Sequence, residues 1–293
     1  MCEENKLAEW ARTTISRRQF SALTGAAVLG ACASGEAEGI AQGAAPGLRE
    51  TGVSFSTADG TLDGFFVQPD SGNHPAVILW PDIAGIREAK RNIARKLASA
   101  GHAVLVVNPY YRDVAGEQFT DFATFITDGG FQKVGPWRGK LNAEAIMRDA
   151  TAIVDWLDRR EGVDKTHGIG TQGYCMGGPF TIWSAAAVPR RIKAAASFHG
   201  GGLVRPDNAM SPHKVLGKVD ASLLIAVAQN DDAEAPADKD IFAEAAKQAG
   251  VPATVAVYPG DHGWMVADSP AYDATAAGRG EADLKALYAA RLA

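Results

Sequence analysis

Gly168-Ile-Gly-Thr-Gln-Gly-Tyr-Cys-Met-Gly-Gly-Pro-Phe180 is the stretch on which the reading of the fold turns. At its centre, Gly173-Tyr-Cys-Met-Gly177 has the spacing of a nucleophile elbow, in which a strained turn between strand and helix holds a reactive side chain clear of the backbone. Glycine at 173 and 177 answers a packing demand, because strand and helix approach so closely at such a turn that side chains there collide. An alternating run precedes the motif, and Gly177-Gly-Pro-Phe-Thr-Ile-Trp-Ser-Ala-Ala-Ala187 follows it, with Pro179 acceptable in a first helical turn. Cys175 stands where serine is usual. The competing reading is a structural cysteine packed between glycines, since free cysteine is among the most buried residue types.

Upstream of the elbow, residues 51–57 and 62–68 alternate around Asp59-Gly60, a hairpin signal that predicts an antiparallel start to a sheet. Ala76–Trp80 is a short apolar run suited to a strand buried on both faces. Ala89, Ile93, Leu97 and Ala100 then recur at helical spacing until Gly101, and Ala103–Val107 reads as the next strand, completing a β–α–β unit. Between Asn108 and Asn142 the periodicity fails. That segment carries Tyr110, Tyr111, Phe119, Phe122, Phe125, Phe131 and Trp137, and so long a connection predicts a lid whose aromatic residues cover a pocket, or else an insertion packed on the surface. Ile146, Ala150, Ile153, Val154 and Leu157 mark an amphipathic helix ending near Arg159-Arg160.

Downstream, Ala194–Phe198, Ser222–Ala228 and 254–258 read as strands, and 237–248 and 281–292 as helices. The fold class expected is α/β: a doubly wound, mostly parallel sheet with an antiparallel N-terminal hairpin. Ligands in such sheets bind beyond the carboxyl ends of the strands, where Cys175 falls.

A thiol on an elbow needs a base, and the base needs a carboxylate to orient it. Asn230-Asp231-Asp232 follows one later strand and Tyr258-Pro-Gly-Asp-His-Gly-Trp264 ends another, giving the chain order nucleophile, acid, histidine. His262 is the candidate base. Asp231 directly continues its strand, whereas Asp232 stands at the usual distance before Pro236; the two signals differ by one residue, with Asp231 preferred. His199, in Phe198-His-Gly-Gly-Gly202, could line the site, while His74, His102, His167 and His213 are single and scattered.

The 293 residues, 46% hydrophobic, suffice for one large α/β domain with appendages. A net charge of −5 with scattered Lys and Arg leaves no footprint for nucleic acid. Of three cysteines, Cys2 and Cys32 lie near the N-terminus, so Cys175 is alone in the domain, without a disulfide partner or zinc-site spacing. No metal or cofactor is expected.

Residues 1–48 read as an address and linker, and 49–293 as the domain. Ser16-Arg17-Arg18-Gln19-Phe20-Ser21 followed by the modestly apolar 22–33 has the layout of a twin-arginine export signal, predicting a periplasmic protein. Leu29-Gly-Ala-Cys32 also resembles a lipobox, and membrane attachment would then run through a lipidated Cys32 alone. A cleavage site among the small residues from Ala31 to Ala45 fits equally well, and an uncleaved cytoplasmic tail with a chance Arg-Arg is the plain alternative.

Taken together, Gly-Tyr-Cys-Met-Gly-Gly at 173–178, the acid at 231–232 and Tyr-Pro-Gly-Asp-His-Gly-Trp at 258–264 make the domain resemble the dienelactone hydrolase family of the α/β-hydrolase superfamily. The resemblance implies a Cys175–His262–Asp triad and an oxyanion hole from the backbone N–H groups of Met176 and Ile83. It implies that an acid in the first loop, here Asp82 where glutamate is found in the best-known members, pairs with the thiol, or else bonds another group such as Arg87. It also implies arginines that grip a substrate carboxylate. Arg112 fits one such place, whereas Met265 and Val266 stand where the second is expected. Tyr111, Trp264 and His199 join Arg112 as candidate substrate contacts. The expected partner is a small ester or lactone, with a broad carboxylesterase or thioesterase, or a non-catalytic thiol-bearing binding protein, as the alternatives.

Overall fold

Apolar runs that alternate with amphipathic helices can bury both faces of a sheet, and among the described residues this chain does so with an eight-stranded sheet. The computed structural model describes residues 46–292; Arg17-Arg18, Cys32 and the expected export signal lie outside the described residues. The strands are β1 (Leu48–Thr57), β2 (Gly60–Pro69), β3 (Ala76–Trp80), β4 (Ala103–Val107), β5 (Ile169–Tyr174), β6 (Ile192–Phe198), β7 (Ser222–Ala228) and β8 (Ala253–Tyr258). The helices are α1 (Glu88–Ser99), α2 (Phe122–Thr127), α3 (Gly130–Arg138), α4 (Ala143–Leu157), α5 (Gly178–Ala187), α6 (Gln229–Glu234), α7 (Asp238–Gln248) and α8 (Ala274–Arg291).

The sheet order is β1-β2-β4-β3-β5-β6-β7-β8. β2 pairs antiparallel with both β1 and β4, and every neighbour pair from β4 to β8 is parallel. This is the predicted sheet, with its hairpin at one edge and the elbow strand β5 near the middle. Alternation along β3 divides the core: Ile78 and Trp80 face a layer with Ile146, Ile153 and Phe180, while Val77 and Leu79 face one with Ala94, Leu284 and Tyr288.

Three local features differ from the sequence expectation. The hairpin turns at Ala58-Asp59, one residue early, because Thr57 pairs with Gly60 and its hydroxyl closes the turn, accepting from the Asp59 N–H at 3.1 Å and donating to the Gly60 carbonyl at 3.0 Å. The last helix starts at Ala274 rather than near 281, capped by Asp273, whose side chain accepts the Ala276 N–H at 2.7 Å. Glycines at 278 and 280 disguise that first half in the sequence. Gly280 is there for contact, since a Cβ would fall 2.9 Å from the ring of Trp264.

The third feature is the 108–142 connection, which holds the short helices α2 and α3. Phe125, wholly buried, stacks edge-on against Phe119 at 5.1 Å and Phe131 at 4.8 Å, so these rings form a small core of their own. Trp137 instead lies against Tyr110, ring centroids 5.5 Å apart.

Candidate active site

Strand β5 delivers Cys175 at its carboxyl end with φ 52°, a left-handed conformation that costs a non-glycine residue roughly 1–3 kcal/mol. The contacts around it show why the flanking residues are glycines. A Cβ on Gly173 would lie 2.0 Å from the Gly177 carbonyl oxygen, and one on Gly177 would lie 2.6 Å from that of Pro81. The elbow therefore packs directly on the loop after β3. Residues 175–177 make one 3-10 turn and continue into α5, so the N–H groups of a helix start beside the sulfur.

His262 and Asp231 come from the loop after β8 and the helix after β7. Nδ1 of His262 lies 2.7 Å from Oδ2 of Asp231, and the imidazole is near enough to the Cys175 thiol for each to shift the other's pKa. Asp232 is turned elsewhere, paired with Lys239 at 2.7 Å, so geometry separates the two acids that the sequence left open. The acid sits in the short helix α6, an element that the sequence reading did not include after the 222–228 strand. Neighbours within the same segment hold the histidine loop: Asn230 Oδ1 accepts the His262 N–H at 2.8 Å, and Gln229 donates to Asp261 at 3.0 Å. Their signal in the sequence was merely adjacency to Asp231.

The electrostatics follow from this juxtaposition. Burial opposes charge on His262, but the neighbouring thiolate and the bonds to Asp231 and Cys175 prevail, holding its pKa well above the ordinary histidine value. Burial likewise opposes a thiolate at Cys175. The imidazolium outweighs it, and with the Met176 N–H directed at the sulfur the thiol pKa falls below its usual value, against the opposing charge of Asp82.

Ile83 lies in the loop on which the elbow rests, and the hydroxyl of Tyr110 donates to its carbonyl at 2.7 Å while approaching the Met176 sulfur at 3.5 Å. Tyr110 is buried and thus braces both residues expected to supply oxyanion donors. Nothing in the sequence distinguished it from its neighbour Tyr111.

Asp82 does not pair with the thiol. Its carboxylate receives Arg87 at 2.7 and 2.9 Å and the Ala84 N–H at 3.0 Å, and forms an ion pair with Lys90 at 2.7 Å. Burial disfavours its charge, but those two cations hold its pKa well below the usual carboxylate range. Lys90 is fully buried, over the Tyr174 ring at 4.2 Å, and burial pushes its pKa down to about 8 despite Asp82.

The expected substrate contacts are corrected by the structure. Arg112 bonds Asp149 at 2.7 and 2.9 Å and Asp59 at 2.7 Å, which commits its guanidinium to the hairpin and α4. Tyr111 donates to the same Asp149 at 2.6 Å. Neither is presented to a substrate, because Asp149 is itself buried and requires both partners. Trp264 is fully buried, stacked on Tyr258 at 4.9 Å, and Met265 and Val266 complete the same packing. His199 lies behind His262, not on the cleft wall: it is 1% exposed, with ring centroids 5.1 Å apart. Burial, with the charges of His262 and Lys90, drives its pKa well below the ordinary value and keeps the ring neutral.

Comparison with known proteins agrees with this architecture. A family model described as the dienelactone hydrolase family matches residues 62–291. A provisionally named carboxymethylenebutenolidase from Synechocystis sp. is 24% identical over 249 residues, covering 84% of this chain and 98% of its own length. Among solved structures, a provisionally titled dienelactone hydrolase from Klebsiella pneumoniae superposes with TM-score 0.70 at 23% identity, covering 83% of this chain and 98% of that one. A dienelactone hydrolase-like promiscuous phosphotriesterase from metagenomic libraries gives TM-score 0.66 at 22% identity, covering 84% and 100%. At such identities the structural likeness speaks for the fold alone.

Proposed function

The chain belongs to the dienelactone hydrolase family, a family of hydrolases, and on that footing we propose that it cleaves an ester or lactone through an acyl-enzyme formed on Cys175. The observation that supports the reading is the Asp231–His262 pair at 2.7 Å, with the imidazole acting electrostatically on a cysteine held at φ 52° on its elbow. In this reading the thiolate attacks the carbonyl carbon, a C–S bond forms, and the carbonyl electron pair moves onto oxygen, where the N–H groups of Met176 and Ile83 receive it. The tetrahedral intermediate collapses, and the imidazolium of His262 gives its proton to the departing alkoxide. His262 then takes a proton from water, the hydroxide attacks the thioester, the C–S bond breaks, and thiolate and imidazolium are restored. Asp231 orients the ring and favours its charged form throughout.

The pairing of Arg87, Lys90 and Arg112 with carboxylates supports an uncharged acyl group over one bearing a carboxylate for ionic capture. Aryl esters, lactones, thioesters and, given the metagenomic neighbour's name, a neutral phosphotriester form the substrate panel. Cys175→Ala should abolish turnover with the fold intact, and Cys175→Ser should retain a small fraction at most. Undiminished hydrolysis by pure Cys175→Ala would overturn the mechanism. Alkylation of Cys175 by iodoacetamide should have its pH midpoint below that of a free thiol; labelling no faster than free cysteine would favour a non-catalytic role.

Export is proposed on the strength of Arg17-Arg18 and the apolar stretch behind them. A fusion of residues 1–46 to a reporter exported only when folded should reach the periplasm. Export that persists when both arginines are replaced by lysine would refute the twin-arginine reading.

A further inference from the structure

Arg87 is fully buried at the head of α1, and each of the five N–H donors of a guanidinium finds an acceptor there. One fork grips Asp82, Nη1 to Oδ1 at 2.7 Å and Nη2 to Oδ2 at 2.9 Å. The other grips Asp268, Nε to Oδ2 at 2.7 Å and Nη2 to Oδ1 at 2.8 Å, and Nη1 also reaches the Gly85 carbonyl at 3.3 Å. Asp82 adjoins Ile83 on the loop after β3. Asp268 belongs to the loop after β8 that carries His262, and its Oδ2 also accepts the N–H of Phe122, the first residue of α2, at 2.9 Å. A single side chain thus joins the oxyanion loop, the histidine loop and the insertion.

We infer that Arg87 is a positioning residue: the Asp82–Arg87–Asp268 bridge fixes the spacing between the Ile83 amide and the His262 imidazole. The inference rests on the proposed triad. The charges within the cluster balance, two carboxylates against Arg87 and Lys90, which is the condition under which a buried ionic group is tolerated. Tolerance alone would not require the bridge to span these two loops. Each loop has a separate anchor, Tyr110 for Ile83 and Asn230 for His262, yet neither anchor relates one loop to the other. Rate is sensitive to that relation, since a misplacement of about 1 Å can cost on the order of a hundredfold. The bridge also employs Asp82 fully, so the acid that the family resemblance would pair with the thiol serves here as a strut.

The test uses the full chain with Asp268→Asn, Arg87→Lys and Arg87→Met. Turnover of p-nitrophenyl acetate gives kcat and KM, and carboxamidomethylation of Cys175 across pH is read by mass on its own peptide. Asp268→Asn should lower kcat by about ten- to a hundredfold with KM within about threefold, as expected of lost transition-state alignment. Its Cys175 should alkylate at least about threefold more slowly at pH 7, because His262 no longer sits squarely on the sulfur. Arg87→Lys, which keeps the charge but loses the double fork, should fall between wild type and Asp268→Asn. A merely structural bridge would lower Tm while leaving kcat per alkylatable Cys175, and the alkylation profile, unchanged in both variants; that result overturns the inference. Should Arg87→Met fail to fold, the partly exposed Asp268 still permits the test. Should wild type hydrolyse no ester, the triad reading fails while the alkylation profile continues to report on the bridge.

Discussion

At the scale of single residues, the site turns on which of two adjacent acids faces the imidazole. Asp231 lies 2.7 Å from His262 and Asp232 the same distance from Lys239, so neighbours in sequence have unrelated environments. Asp231→Asn should lower kcat on the order of a thousandfold or more, since the ring loses both its orientation and the stabilisation of its charge. Asp232→Asn should leave kcat within about twofold, because its partner is Lys239 and not the imidazole, and a partly exposed pair contributes little. Steady-state kinetics on purified variants separates them, and equal losses would contradict the assignment. The motif residues around Cys175 were legible in the sequence because the spacing is short and recurrent: glycines where a Cβ has no room flank a side chain that a strained turn holds out. Which acid faces the imidazole was not legible, because the helical turn of α6 that aims it is not written in the apolar pattern.

Among the elements, the loop after β3 depends on the long connection after β4. Tyr110, from that connection, reaches across to the Ile83 carbonyl and the Met176 side chain. Tyr110→Phe leaves the buried carbonyl without its partner, a cost of about 1–3 kcal/mol. Because the bond sits beside the proposed oxyanion donors, kcat/KM should fall about tenfold as well. A variant that loses stability yet keeps full kcat/KM would reduce Tyr110 to packing. The sequence expectation for this connection was a lid of aromatic residues. Four of those rings pack on one another through Phe125, whereas Tyr110, with Trp137 against it, reaches the Met176 sulfur of the elbow.

Over the whole molecule, charged residues that might have met a substrate serve instead to join parts of the fold. Arg112 links the β1–β2 hairpin, through Asp59, to α4, through Asp149. Arg112→Ala strands a buried carboxylate and should destabilise the protein by about 3 kcal/mol. Denaturant unfolding measures the loss, and kcat/KM per folded molecule should remain at the wild-type value. A selective rise in KM for carboxylate-bearing esters, with stability unchanged, would restore Arg112 to substrate binding.

The sequence by itself determined the sheet class and the place of the elbow in it, and it named Cys175, Asp231 and His262 as candidates in that chain order. These follow from short-range rules, since periodicity and turn residues act within a few residues. Tertiary structure alone decided how the charges are spent. Arg87 meets Asp268 across 181 positions of chain and Arg112 meets Asp59 across 53, and no local pattern encodes a pairing whose energy depends on where distant loops come to rest. The same reason buries His199 and Trp264 instead of presenting them to a substrate: burial belongs to the assembled sheet, not to the motif that carries the residue.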